Sequence, residues 1–406
     1  MSRNTLFLIL LLILEWYSIQ ALRSWVRPFG TAWRIGIWAL YGIGSLMAYG
    51  YLLYNIFNEG PKPDWWRIYG AAVFVIWILS KLPIAGVMML DDVRRAISWG
   101  VNKVSGEVKF DPSRSRFMAK TALALGAIPF SVLTYGIARN GFRYKLHEQD
   151  VPIVGLPSEL EGLKILQISD IHSGTWTDDA PVQRAVDLIN EQSADLVCFT
   201  GDLVNSLASE MTPFVETFSK IQAKYGVYSV MGNHDYGDYY NFNSPDGYDN
   251  NRREFFETHR ALGWDLLMNE NRLIDINGRK LAMLGVENWS AIRRFPKKGD
   301  LAAARLGTEA ADVRVLMSHD PTHWEAQVLD TDIDLTLSGH THGFQFGVEI
   351  PGFKWSPAKF MYKQWAGLYS EGNQHLYVNR GLGCLVYPGR VGILPEVTVL
   401  KLVMKK

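Results

Sequence analysis

LKILQISDIHSG, residues 163–174, runs through apolar, β-favouring positions and stops at Asp170, after which the chain turns past His172 and Gly174. A helix is predicted from about Pro181 to Gln192, with proline in its favoured first turn. The design recurs. ADLVCFTGD (194–202) ends in Asp202, and YGVYSVMGNHD (225–235) ends in Asn233, His234 and Asp235. VRVLMSHD (313–320) delivers His319, and IDLTLSGHTHG (333–343) delivers His340 and His342. Short β-rich runs alternating with helical segments from about residue 150 onward predict a layered α/β domain.

Taken singly, each strand tip has a bland explanation: Asp and Asn are common turn formers, and a lone histidine is usually a satisfied core or surface residue. Together they sort too well for that, because five of the nine histidines fall in these tips beside two Asp and one Asn. Hard carboxylate and amide oxygens mixed with neutral imidazoles suit Zn, Mn or Fe and disfavour an all-oxygen calcium cage. Two cations about 3.5–4 Å apart can clamp the attacking and leaving oxygens of an in-line phosphoryl displacement and turn a bridging water into hydroxide near neutral pH. Phosphoester chemistry is therefore the leading expectation.

The first 150 residues differ from the rest. They hold 17 Lys and Arg against 9 Asp and Glu, and the balance of 41 against 41 for the chain leaves the remainder net acidic by eight. Four apolar stretches, about 5–22, 35–57, 68–90 and 117–138, match the roughly 20 residues a bilayer core requires. They predict a membrane region over 1–140, a linker over 141–160 and a catalytic domain over 161–406. The first stretch lacks a small-x-small cleavage site and reads as retained. Glu15 interrupts it, Lys81 and Pro83 interrupt the third, and Lys120 lies near the start of the fourth. Glu15 is read as paired with a neighbouring helix or sitting near a polar end, without a further role.

Loops one and three carry Arg23, Arg27, Arg34, Arg94, Arg95, Lys103, Lys109, Arg114 and Arg116, whereas the other side carries Arg3, Lys62, Arg67, Arg139, Arg143 and Lys145. By the positive-inside rule both termini, and the catalytic domain, belong on the outer face. Long apolar runs, rather than basic clusters with interleaved aromatics, point to a bilayer and not to nucleic acid. Cys198 and Cys384 alone exclude a disulfide scaffold, and Cys198 reads as a small buried hydrophobe.

Asp170-Ile-His172, Gly201-Asp202, Gly232 to Asp235, the isolated His319 and Gly339 to His342 occur in the order of the calcineurin-like metallophosphoesterases, which this sequence resembles over most of 160–345. GHTHGFQF (339–346), YVNRGLG (377–383) and PGRVGILPEVTVLKL (388–402) are similar to the closing part of a membrane-anchored, largely bacterial branch, the GHTHGGQ type. The resemblance implies a four-layer αββα sandwich of two mixed sheets and a bacterial plasma-membrane location. It implies two divalent ions drawn from Mn, Zn, Fe or Mg. Asp170, His172, Asp202 and His342 would hold one, and Asp202, Asn233, His319 and His340 the other, with Asp202 bridging. His234 would be catalytic, as a general acid or as a stabiliser of developing charge, with Asn205 and Asp235 in support. The family often has Asp where this chain has Asn205, which removes a charge that would raise the His234 pKa. Phe344 replaces the second glycine of GHTHGGQ.

YGDYYNFNSPDGYDNNRRE (236–254) reads as a long loop next to His234, followed by a helix that Arg252 and Arg253 begin. RRFPKK (293–298) and PGFKWSPAKFMYKQW (351–365) mix cations with aromatics, as a surface resting on lipid would. The partners expected are the bilayer and a phosphate ester, with a phospholipid or lipid-linked nucleotide as one form. The leading function is a membrane-anchored, dinuclear phosphoesterase of phosphodiester or pyrophosphate bonds. The alternatives are a phosphomonoesterase, a non-catalytic scaffold on the same fold, which the full ligand set and His234 oppose, and a transporter or sensor with an accessory enzyme domain.

Overall fold

The structure is a computed structural model that describes residues 3–57, 66–105, 112–242 and 244–405. The chain forms two compact units, Met1–Ala138 and Arg139–Lys406.

The first unit is helical: α1 (Arg3–Val26), α2 (Thr31–Phe57), α3 (Ala71–Ser105) and α4 (Pro112–Ala138). Among the described residues four helices, Thr5–Val26, Thr31–Phe57, Trp66–Lys103 and Ser113–Phe142, are long and apolar enough to cross a membrane. Their outer surfaces expose Leu12, Trp33, Leu40, Leu46 and Phe117, the pattern of helices apolar all round. Small residues set the interior, where Ala21, Ala119 and Ala122 pack with Ile84 and Met88. A Cβ on Gly126 would lie 2.5 Å from Ile84, so only glycine lets α4 approach α3 this closely. Glu15 accepts from the hydroxyls of Tyr41 (2.7 Å), Ser45 (3.1 Å) and Tyr49 (2.6 Å) and pairs with Lys81. Arg94, Arg95 and Lys103 were expected in a loop but lie on α3, which Arg94–Asp91 and Arg95–Asp92 pairs one turn apart support. Lys62 and Lys109 lie outside the described residues.

Among the described residues the second unit has fourteen strands: β1 (Lys145–Ile153), β2 (Lys164–Ile168), β3 (Leu196–Phe199), β4 (Val227–Ser229), β5 (Asp265–Leu266), β6 (Glu270–Ile276), β7 (Arg279–Gly285), β8 (Val313–Met317), β9 (Leu335–Ser338), β10 (Val348–Ile350), β11 (Phe353–Trp355), β12 (Gly367–Glu371), β13 (Gln374–Val378) and β14 (Glu396–Met404). Its helices are α5 (Asp179–Glu191), α6 (Val215–Phe218), α7 (Pro245–Leu262) and α8 (Leu301–Arg305). One sheet has the order β1-β14-β2-β3-β4-β5 and the other β12-β13-β9-β8-β7-β6. Both are mixed: β14 runs antiparallel to β2, and β12 and β6 run antiparallel to their neighbours.

Side-chain alternation builds the layers. Ile165, Leu196, Cys198, Met283, Val315 and Leu337 meet between the two sheets. The alternate residues Leu166, Val197 and Phe199 face a helical layer that includes Val182 and Ile189 of α5 and Phe255 of α7. On the other sheet Ala282, Leu284, Leu316 and Val378 face Leu301, Ala304 and Trp324. The result is the αββα sandwich, with Cys198 buried inside it.

Two expectations change. Residues 141–160 are not simply a linker, because β1 pairs in parallel with β14 along nine residues. Its sequence, KLHEQDVPI, hides this by being half exposed, as an edge strand is. The supposed loop 236–254 is helical from Pro245: Ser244 caps α7 by accepting from Gly247 N, and proline occupies the first turn. Arg252 and Arg253 lie within that helix rather than at its start.

Candidate metal centre

Five of the predicted residues arrive on strained backbone. Asp170, His172, Asp202, His340 and His342 have φ of 49°, 47°, 61°, 70° and 51°, in the left-handed region that side chains rarely enter. Each such residue costs on the order of 1 kcal/mol, and strain of this kind gathers at functional sites. The turns face one another after parallel strands β2, β3, β8 and β9. Glycines allow the approach. A Cβ on Gly232 would collide with Asp202, one on Gly339 with Asp170 and Ser169, and one on Gly381 would sit 2.8 Å from Asp170 Cβ.

Two groups of donor atoms result, Asp170 with His172 and His342, and Asp202 with His319 and His340. In the first, His342 Nε2 lies 3.2 Å from Asp170 Oδ1 and 3.0 Å from His172 Nε2. In the second, His319 Nε2 lies 3.1 Å from Asp202 Oδ2 and 3.2 Å from His340 Nδ1. The same Asp202 Oδ2 is 3.6 Å from His172 Nε2, so one carboxylate oxygen stands between the groups. Asn233 is buried with its Nδ2 donating to Tyr239 OH at 2.9 Å, and its Oδ1 has no hydrogen-bond partner among the described residues. A buried bare carbonyl beside converging imidazole and carboxylate atoms fits a cation.

The partners of the far ring nitrogens select the tautomers. His172 Nδ1 donates to Asn205 Oδ1 (2.9 Å) and His319 Nδ1 to the Thr200 carbonyl (2.7 Å), which turns each Nε2 to the site as the atom that ligates when the imidazole is neutral. His340 is turned the other way: Nε2 faces Tyr362 OH at 2.9 Å and Nδ1 faces inward. Main-chain amides hold the carboxylates, with His234 N donating to Asp202 Oδ1 (2.8 Å) and His340 N to Asp170 Oδ2 (3.0 Å). Asp235 accepts from the amides of Asp202, Leu203 and Gly232, tying the turn after β3 to the turn after β4.

Charge in the site follows from this crowding. Burial opposes ionisation of Asp202, but His319, His234 and His172 draw its pKa well below the ordinary carboxylate range. Burial likewise opposes a charged His319, yet the Asp202 and Asp170 carboxylates and the Thr200 carbonyl push its pKa up to about 10. His172 goes the other way, lowered by burial and by its imidazole neighbours. Burial and the nearby Asp202 raise Asp235 to about 7 against the pull of the Gly232 and Val204 amides.

His234 is half buried beside both groups, its ring 4.9 Å from His172 and 4.4 Å from Tyr239. Its Nδ1 donates to the main-chain carbonyl of Asn205 at 2.7 Å. The Asn205 side chain, expected to bear on His234, instead bonds His172, so the two histidines are served by different atoms of one residue. Sequence reasoning missed Tyr239, Tyr362 and Arg390. Tyr239 lies in a segment read as a long loop and Tyr362 in one read as a lipid-resting surface, and nothing in their spacing marks them as partners of Asn233 and His340. Arg390 is fully buried and donates to the carbonyls of Arg380 (2.8 Å), Gly381 (3.1 Å) and Gly383, fastening the turn that presses on Asp170.

A family model described as "Probable Calcineurin-like phosphoesterase, transmembrane domain" matches residues 2–141, and one described as "Calcineurin-like phosphoesterase" matches 163–344. A Danio rerio "Transmembrane protein with metallophosphoesterase domain" is 30% identical over 304 residues, 70% of this chain and 65% of that protein. "Uncharacterized metallophosphoesterase YkuE" of Bacillus subtilis (strain 168) is 29% identical over 289 residues, 68% of this chain and 94% of its own length. "Phosphodiesterase YaeI" of Escherichia coli (strain K12) is 30% identical over 242 residues, 59% of this chain and 82% of its own. With motifs, layered sheets and both donor groups in agreement, the chain belongs to the calcineurin-like metallophosphoesterases and carries a transmembrane domain ahead of the hydrolase.

Proposed function

We propose that the protein is a dinuclear phosphoesterase that hydrolyses phosphodiester or pyrophosphate bonds of membrane-borne substrates, with its catalytic domain on the outer face of a bacterial plasma membrane. The observation that carries the dinuclear reading is the position of Asp202 Oδ2, within 3.1 Å of His319 Nε2 and 3.6 Å of His172 Nε2. Asp170, His172, Asp202 and His342 would hold one ion, and Asp202, Asn233, His319 and His340 the other, with Mn, Zn or Fe favoured by the donors and Mg admitted. When bound, two such ions supply Lewis acidity toward phosphoryl oxygens and acidify water between them.

The chain's own residues do the rest. Main-chain amides orient Asp170 and Asp202, while the surrounding histidines keep both carboxylates ionised. Tyr239 turns the Asn233 carbonyl inward, and Tyr362 fixes the His340 ring. With its Nδ1 committed to the Asn205 carbonyl, the part-exposed His234 has Nε2 left to meet a substrate. There it donates to the leaving oxygen or stabilises charge on the phosphoryl group.

The test is to strip the purified full chain of metal, reload it with Mn, Zn, Fe or Mg, and compare monoester, diester and sugar-nucleotide pyrophosphate substrates. Diester or pyrophosphate turnover abolished by Asp202→Asn supports the reading. Absence of such turnover with every metal overturns it.

A further inference from the structure

Among the described residues of the second unit, thirteen large hydrophobic side chains are exposed, and eight of them fall between Phe344 and Val386. The hairpin β10–β11 shows why this is not ordinary surface. Its register pairs Val348 with Trp355, Glu349 with Lys354 and Ile350 with Phe353. Directly paired residues share a face and successive residues alternate, so Val348, Ile350, Phe353 and Trp355 lie on one side and Glu349 and Lys354 on the other. A water-facing hairpin would turn the charges outward. Here they are engaged by the domain instead: Glu349 pairs with the buried Arg380 at 2.7 Å, and Lys354, though its residue stays exposed, donates to the Ala366 carbonyl and sits over the rings of Trp365 and Tyr369. Val348, Ile350 and Phe353 are left 44%, 58% and 53% exposed.

The inversion continues on either side. Phe360, 79% exposed, follows a capped turn at Ser356, and Val386 projects from a loop that Gln345 holds by bonds to the Tyr387 and Gly389 carbonyls. Phe344 joins the patch to the metal centre, two residues beyond His342 and edge-on to Tyr362, whose hydroxyl touches His340. Cations flank it at Lys359, next to Phe360, and at Arg294, whose Nη2 lies 3.7 Å from Met361 Sδ.

We propose that this inverted hairpin, with Phe344, Phe360 and Val386, is a bilayer-entering face that seats the mouth of the metal centre in the lipid surface. A lipid occupant is favoured by the apolar tips with flanking cations, which match an acyl interior beneath anionic headgroups. It is favoured also by the leash. Helix α4 ends at Ala138 and β1 begins at Lys145, so the six intervening residues span at most about 20 Å and keep the domain within reach of a bilayer. The consequence for catalysis rests on the phosphoesterase reading: the substrate would be a phosphate ester presented at the membrane surface by an apolar chain.

The test uses the full chain reconstituted in vesicles of phosphatidylethanolamine and phosphatidylglycerol. Nitroxide labels are placed at Ile350→Cys and Phe353→Cys, with Lys297→Cys as a control; the native cysteines are both buried. Access to molecular oxygen with shielding from an aqueous nickel chelate at 350 and 353, and the reverse at 297, is the expected result. Nickel access at 350 and 353 overturns the proposal, and so does shielding from both reagents, which would mean a protein cover such as a second copy. These readings do not depend on turnover and decide the face even if the phosphoesterase reading fails. In a second arm, the Ile350→Asp, Phe353→Asp double variant should keep hydrolysis of bis(4-nitrophenyl) phosphate and lose about tenfold on a long-chain phosphodiester embedded in vesicles. Equal loss on both substrates, or none on either, contradicts it.

Discussion

Nδ1 of His172 stands 2.9 Å from Oδ1 of Asn205, while His234 is bonded by the main-chain carbonyl of the same asparagine. The side chain therefore serves a residue of the candidate metal centre, and replacing it should act on metal retention more than on the part played by His234. Asn205→Ala is expected to weaken metal binding by about 10- to 100-fold, the usual effect of removing a hydrogen bond behind a ligand. The measurement is metal affinity by competition with a chelator, alongside the pH profile of kcat. A shifted acid limb with unchanged affinity would contradict this assignment.

Metal loading should release protons. With its pKa pushed up to about 10, His319 is protonated at pH 7.5 in the metal-free protein, and an imidazolium must lose its proton to ligate. Affinity is thus expected to rise with pH until about 10. Calorimetric titration at pH 7.5 in two buffers of different ionisation enthalpy should give apparent heats that differ by the protons released. Identical heats would speak against a charged His319.

Stability in acid should follow Glu396. It is fully buried; burial resists its charge, but Arg380 and His147 hold its pKa down to about 2, against 4.5 for a free glutamate. A pKa lowered by folding gives stability that is fully present above about 4.5 and is lost as pH falls toward 2. The shift corresponds to about 3 kcal/mol at neutral pH. Glu396→Gln should lower the unfolding free energy at pH 7, and the gap to wild type should close on acidification to pH 2–3. A gap independent of pH would exclude the mechanism.

Gly381→Ala should damage the site without touching a ligand. At φ 81° the added methyl is strained, and it would sit 2.8 Å from Asp170 Cβ and 3.2 Å from His342 Nδ1. Destabilisation of about 1 kcal/mol from the backbone alone is expected, with a larger loss of metal affinity. Chemical denaturation with and without saturating metal would show it, because the metal-linked part of the stability should shrink.

The proposed sidedness has its own check. A C-terminal reporter that is active only in the cytoplasm should stay silent, and one that matures only outside should be active. The opposite pair of signals would invert the topology.

Residues whose role is local were readable from sequence. Asp170, Asp202, His319 and His340 each end an apolar strand, and a turn needs only its own few residues to be recognised. What escaped was non-local. β1 finds its partner some 250 residues later, and its half-polar sequence carries no sign of that. Asn205 could be named from its motif, but whether its side chain or its carbonyl meets His234 depends on how two turns pack. Tyr239 and Tyr362 reach Asn233 and His340 from segments whose composition only says surface. The inverted hairpin was beyond reach for a similar reason, since alternation reveals that two faces differ and not which one the domain keeps.

β14 lies between β1 and β2, yet it is the last of the fourteen strands to leave the ribosome. At about 5–20 residues per second, β1 must wait some tens of seconds for the neighbour that holds it. During that interval the apolar helices are already available to the insertion machinery, while the first sheet has an open seam beside the strand that follows those helices in sequence. Maturation is thereby ordered in time: anchoring comes first, and the sheet that carries Asp170 and Asp202 closes only afterwards.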